Sequence, residues 1–214
     1  MSLKKVGLTS LIVRMASSTH NPVVSQKKKM RQMAKSAIKS LGYEEKKRQT
    51  KEVTRQLLQN PLYLSAERIS VYLHMKDWEI GTVEILENSF RSSKKCYVPQ
   101  YFMHPEPIMN MVELYDMKDF ENLPITKWHI KQPPAENRDR EVTKNLDLVL
   151  VPGLAFTKDG KRLGRGMGFY DKYLSGLKNK PITIALAFDV QIHDDLPTEI
   201  DCDFNMDQVL YCGA

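Results

Sequence analysis

A single three-layer α/β/α domain, with helices on both faces of a mainly parallel sheet, is the fold class this sequence predicts. Three observations carry that expectation. Residues 146–151 (LDLVLV) and 182–188 (ITIALAF) are almost wholly apolar, as strands buried on both faces of a parallel sheet must be. Residues 68–101 read as strand, helix and strand, the unit that joins parallel neighbours. Residues 26–41 carry apolar side chains at helical spacing. A chain of 214 residues is long enough for one domain with a real core, or two small ones.

Composition narrows the classes further. Hydrophobic residues make up 42% and charged residues 27%, ordinary for a globular protein. No apolar run approaches the ~20 residues that span a bilayer. The net charge of +6 fits a polyanionic ligand or a nucleic acid. Cys96, Cys202 and Cys212 are odd in number and lack metal-ligand spacing, which argues for a reducing compartment and against a disulfide framework or a zinc site.

Residues 1–43 contain no acid; Glu44 is the first. The stretch before Asn21-Pro22 fits a transit peptide, a disordered extension, or an upstream start with Met15 as a second. The expected division is a leader over 1–25 and a folded domain over 26–214. In the helix of 26–41, Met30, Met33, Ala34, Ala37, Ile38 and Leu41 form the inward stripe. Lys27 and Arg31 fall on a shoulder of that stripe, where a cation reaches into a cleft. Lys28, Lys35 and Lys39 lie farther toward solvent. Residues 43–60 form a second, strongly charged helix.

Residues 68–75 (RISVYLHM) form a strand, followed at once by Glu79. Thr82 caps a helix through Arg91, and 95–101 (KCYVPQY) is the next strand. In open α/β sheets ligands bind beyond the carboxyl ends of strands, which is where Glu79 falls. Residues 108–114 form a peripheral antiparallel strand. Residues 116–145 read as a long loop with little regular structure, a pattern that goes with a binding or covering role. Its Trp128 either stacks on a flat ligand or plugs a core.

The stretch after the strand of 146–151 holds the densest chemistry. Asp159-Gly160 marks a turn. Arg162-Leu163-Gly164-Arg165-Gly166-Met167-Gly168 then places two guanidiniums among three alternate glycines, and a helix starts at Phe169-Tyr170-Asp171. Glycine lets backbone N–H groups approach an anion, and arginine adds planar donors. The alternative is a plain tight turn with surface arginines. Asp171, Asp203 and Asp207 are candidate ligands for a hard divalent cation.

The chain also resembles the 5-formyltetrahydrofolate cyclo-ligase (5,10-methenyltetrahydrofolate synthetase) family. The resemblance runs from Lys27 to Tyr211 through landmarks in order: Lys27-x-x-x-Arg31, RISVYLHM with an acid after it, CYVPQY, a Trp before a proline-containing turn, DLVLVPGLAF, RLGRGMGFYD, IALAF, and Asp203-x-x-x-Asp207-x-Val209. It implies a doubly wound, Rossmann-like sheet. It implies a cyclo-ligase domain over 26–214 that uses ATP and Mg²⁺ to close 5-formyltetrahydrofolate, with or without a polyglutamate tail, into 5,10-methenyltetrahydrofolate. Lys27 and Arg31, within the run Lys27, Lys28, Lys29, Met30 and Arg31, match the basic residues on ATP phosphates. Arg162, Leu163, Gly164, Arg165, Gly166, Met167, Gly168, Phe169 and Tyr170 match the nucleotide loop, whose part from Arg165 to Phe169 faces the folate. Leu73, Met75 and Glu79 match the pterin pocket, and Asp171 with Asp203 the metal pair. Lys27, Arg31 and Arg165 take the catalytic roles. Met167 stands where relatives often show Lys or Gly, and Phe169 where Tyr is usual. A cytoplasmic monomer with no nucleic-acid or membrane partner is expected, or a mitochondrial one if the leader is a targeting signal. The rivals are a basic nucleic-acid-binding protein and another phosphate-binding α/β enzyme.

Overall fold

Strand alternation organises the molecule. The computed structural model describes residues 22–103, 106–135, 139–197 and 204–213. Among these residues the main sheet has seven strands, whose spatial order places the sequence-first strand at the fourth position from one edge. They are β1 (Arg68–Ser70), β2 (Lys95–Phe102), β3 (Ile108–Leu114), β4 (Val142–Thr143), β5 (Leu148–Val151), β8 (Ile182–Leu186) and β10 (Gln208–Leu210). The five strands from β10 to β2 are parallel, and β3 and β4 run antiparallel at one edge. Along β5, Leu148 and Leu150 enter one core and Val149 and Val151 the other, as a period of two requires. All four are fully buried, which is why the stretch reads as continuous apolar sequence.

The first core is roofed by α1 (Pro22–Ser40), α2 (Tyr43–Gln59), α3 (Pro61–Ser65), α4 (Val83–Arg91) and α5 (Met117–Asn122). The second is covered by α6 (Phe169–Ser175), through Tyr170 and Leu174. The three-layer expectation holds, with the helices unevenly shared between faces.

Several boundaries differ from expectation for legible reasons. Helix α1 begins at Pro22, a turn before Gln26, because proline is tolerated in a first turn whose N–H groups have no partners. Met33 is 55% exposed rather than inward; Ala34 and Ile38 make the contact instead. Asn60 both ends α2 and caps α3, accepting from the Leu62 N–H at 2.9 Å. Strand β1 stops at Ser70 rather than Met75. Past it, the Tyr72 carbonyl accepts from the Thr82 hydroxyl at 2.7 Å, and the Thr82 N–H donates to His74 Nδ1 at 3.2 Å. Thr82 does precede α4, but its side chain anchors the segment after β1 and caps nothing. Residues 116–145 contain α5 and β4 and so are less irregular than expected. A small second sheet, β6 (Ala155–Thr157), β7 (Arg162–Leu163) and β9 (Ile192–His193), has no counterpart in the expectation. Strands of two or three residues are too short to show a period.

Strand order places the site. From β1 the chain moves outward to β2, β3 and β4, then returns to β5 on the other side of β1 and continues to β8 and β10. The reversal falls between β1 and β5, and loops leaving their carboxyl ends diverge to open a crevice.

Leu150 sits at the centre of this sheet. Replacing it by alanine is expected to cost about 2–5 kcal/mol, seen as a lower urea midpoint with an unchanged slope; a change under ~1 kcal/mol would contradict the packing described.

Candidate active site

A cavity of about 290 Å³ occupies the crevice. Its walls come from the segment after β1 (Leu73, Met75, Glu79), from Pro152-Gly153 after β5, and from the end of β2 (Tyr101). The strap carrying Trp128 and Ile130 adds one wall, and residues 164–171 add another. Most of this lining is apolar, so the few charged groups in it stand out.

Glu79 is one of them. Its side chain is 8% exposed, and both carboxylate oxygens are engaged. Oε2 accepts from the Met75 N–H at 2.8 Å, which closes a turn after β1. Oε1 accepts from Arg165 twice, from Nη2 at 2.9 Å and Nε at 3.2 Å. These partners fix the direction in which the carboxylate points. His74 lies nearby; burial pushes its pKa below the usual histidine range, against an upward pull from Glu79.

Arg165 rides on the glycine loop, which is shorter than the sequence suggests. Arg162 and Leu163 belong to β7, so the loop proper is 164–168. Gly166 has φ +105°, a conformation side chains avoid, and a Cβ there would lie 3.5 Å from the Arg31 guanidinium. Arg31 reaches across from α1 and donates through Nε to the Gly164 carbonyl at 2.9 Å. Its contact with a loop 133 residues later is the first bond between the two ends of the proposed site. Lys27, one turn earlier on the same face of α1, is buried at 7% exposure. Lys28 and Lys29 face solvent and Met30 is half-buried. Only the shoulder cations of the run turn inward, as the helical period predicted.

Arg162 lines the cavity too, and its hydrogen bonds among the described residues are to the loop's own surroundings. It is almost fully buried, donates to Asp171 Oδ1 at 2.7 Å and to the Pro152 carbonyl at 3.1 Å, and stacks over the Tyr170 ring. This arginine frames the loop from beneath. Asp171 Oδ1 also accepts from the Phe204 N–H at 3.3 Å, and no described residue donates to Oδ2. Asp203 lies outside the described residues. Asp207 is committed elsewhere: its Oδ2 accepts from Thr183 N at 2.7 Å and Thr183 Oγ1 at 2.8 Å, tying β10 to β8. Among the described residues no three His, Cys, Asp or Glu side chains cluster as a metal site would.

Leu73, Met75 and Trp128 all line the cavity, and Trp128 belongs to neither core cluster. Leu163 is buried behind the loop, Met167 is 44% exposed at its tip, and Gly168, with φ +68°, precedes α6. Phe169 packs on Tyr101, ring centroids 4.9 Å apart.

The 5-formyltetrahydrofolate cyclo-ligase family profile matches residues 23–212. The chain belongs to this family. A cyclo-ligase from mouse is 38% identical over 88% of this chain and 95% of its own length. A probable one from Caenorhabditis elegans is 34% identical over 87% and 93%. The NMR structure of an Aquifex aeolicus 5,10-methenyltetrahydrofolate synthetase superposes with TM-score 0.71 at 23% identity, covering 86% of this chain and 88% of that one. The main-sheet fold is thus that of the synthetases, and the chain is a ligase of the cyclo-ligase kind.

Of two tyrosines at this cyclo-ligase site, Tyr101 was not read from sequence, whereas Tyr170 was matched to the nucleotide loop. Tyr101, next to last in β2, lines the cavity; it is the final residue of the expected strand 95–101, so the carboxyl-end rule applied there points to it. Tyr170 is buried with its hydroxyl unpartnered among the described residues. Burial raises both phenols above the usual tyrosine range; for Tyr170 the neighbouring Tyr101 adds to the shift. Both therefore stay protonated and able to donate. Because the folded values are raised, the stability these groups contribute is complete below pH ~10 and falls as pH rises further. An alkaline titration of tyrosinate absorbance is expected to leave a fraction of the nine tyrosines un-ionised until the chain unfolds; full ionisation of the folded protein near pH ~10 would refute it.

Proposed function

We propose that the protein closes 5-formyltetrahydrofolate to 5,10-methenyltetrahydrofolate, driven by ATP and releasing ADP and phosphate, with Mg²⁺ assisting. The observation that carries the reading is a single cavity, in a chain of this family, with an apolar slot and Glu79 on one side and an arginine-bearing glycine loop on the other. The slot suits a flat heterocycle, and Glu79 keeps further lone pairs for its N–H edge.

The chemistry requires a poor leaving group to be made a good one. The formyl oxygen of the substrate attacks the γ-phosphorus of ATP, and ADP departs. The resulting imidate-like phosphate is attacked at carbon by N10, the C–O bond breaks, phosphate leaves, and the N10 proton passes to solvent. Such transfer depends on positioning and charge neutralisation more than on a protein nucleophile. Lys27, Arg31 and Arg165 are assigned to the transferring phosphoryl group, and residues 164–168 to the nucleotide phosphates. Arg162 holds the loop and Asp171 in register. Asp171, with an oxygen clear of described donors and Asp203's neighbour Phe204 bonded to it, suits a hard cation that keeps its waters. Bound there, Mg²⁺ supplies charge neutralisation on phosphate oxygens. The substrate is read as 5-formyltetrahydrofolate with or without a polyglutamate tail. The enzyme is read as a cytoplasmic monomer, or a mitochondrial one if its acid-free leader directs it there.

A spectrophotometric assay of the absorbing methenyl product decides between readings. Product is expected only with ATP, Mg²⁺ and the formyl-folate together; turnover without nucleotide would overturn the proposal. Alanine at Lys27, Arg31 or Arg165 is expected to lower kcat/KM by about 10²-fold or more, the scale set by removing one preorganised donor to transition-state charge. Unchanged kinetics in the Lys27 and Arg165 variants would remove their assignment.

A further inference from the structure

The Glu79–Arg165 pair joins two segments 86 residues apart, and both ends of it have a second use. Arg165 directs Nε and Nη2 at the same oxygen of Glu79, while its Nη1 donates to no described residue. For its guanidinium to serve a phosphate fully, Arg165 must leave Glu79. Glu79 would then keep only the Met75 N–H, too little for a carboxylate this buried: an ion taken from its charged partner in a low-dielectric site is strongly destabilised. The loop permits the movement, since Arg165 is 31% exposed and is followed by Gly166 and Gly168 at positive φ. Its amino-terminal end is tied by Arg31 to the Gly164 carbonyl, which leaves 165–168 as the part without that tie.

We infer that Glu79 and Arg165 couple the two ligand sites. A pterin whose N–H groups donate to Glu79 raises the affinity of loop 164–168 for a nucleoside triphosphate, and the triphosphate raises affinity for the pterin by the same factor. The inference rests on the functional reading above and specifies how its two substrates depend on each other. The hand-over is favourable when both are present. The pterin satisfies the carboxylate that Arg165 vacates, and the phosphates receive the arginine. With nucleotide alone, Arg165 is held back by Glu79, which restrains hydrolysis of ATP by water. Glu79 is in this respect a positioning residue for Arg165 as well as a ligand for the folate.

The test is a binding cycle on the full chain by calorimetry, using 5-formyltetrahydrofolate and a non-hydrolysable β,γ-imido ATP analogue with Mg²⁺. Each is titrated alone and in the presence of the other at saturation. Each ligand is expected to tighten the other by the same factor, on the order of tenfold within the usual range of coupling. In Glu79→Gln, whose neutral amide holds Arg165 less tightly than the carboxylate does, the analogue alone is expected to bind more tightly than to wild type, and the coupling factor to fall toward one. A merely structural Glu79 would weaken or leave unchanged the analogue's binding. Even if Glu79→Gln abolishes folate binding, the analogue-only comparison stands. Both ligands binding to wild type with no mutual effect, or coupling surviving in Glu79→Gln, would overturn the inference. Binding of neither ligand to wild type would overturn the functional reading itself.

Discussion

The reversal of strand order between β1 and β5 is the constraint on which the site depends. Two parallel strands that lie side by side but send their chains to opposite flanks cannot have their exits filled by a common connection. The crevice is therefore a product of topology, and the side chains decide only what it can hold. Everything assigned to the site arrives at this place by a different route: α1 from the amino-terminal side, the segment after β1, the end of β2, the strap of residues 123–135, and the hairpin and loop after β5. The long sequence separations of its contacts follow from that geometry.

The apolar packing and the polar bonds have separate duties. The two cores, one under α1 to α5 and one under α6, hold the sheet. The crevice loops are held by specific polar contacts: Thr82 on Tyr72, Glu79 on Met75, Arg162 on Asp171 and Pro152, Arg31 on Gly164. The strap is fixed likewise, by Gln100 donating to the carbonyls of Pro133 and Pro134 and by the exchange between Gln132 and Tyr101. Arg140, buried and paired with Asp119, secures its approach to β3. Rigid scaffold and polar-latched loops are the division expected where chemistry resides on connections.

What was legible in the sequence had either a period or a composition. The 3.6-residue period singled out Lys27 and Arg31 from five consecutive basic-run positions, and burial shows both turning toward the protein. The apolar runs of β5 and β8 announced a two-sided sheet. The glycine-arginine segment announced its loop, although Arg162 and Leu163 went to β7. Short strands carried no such signal, which hid β6, β7 and β9. Met33 satisfied the helical pattern yet faces outward, since a stripe marks one face of a helix without saying how wide its contact is. The Glu79–Arg165 bond was beyond reach, because no local rule pairs residues in different loops; Glu79 was read as a ligand for the folate alone. The two-way use of Asp171, by Arg162 and by Phe204, was hidden for the same reason.

The placement of Trp128 carries a practical consequence. The chain has two tryptophans, and the other, Trp78, packs against the first core away from the cavity wall. An indole's emission follows the polarity around it, so the two residues divide the fluorescence between a steady background and a sensor at the mouth of the crevice. On the proposed function, a flat ring arriving beside Trp128 changes the light emitted by the unlabelled protein, and replacing that single residue with phenylalanine silences the change while leaving the background intact.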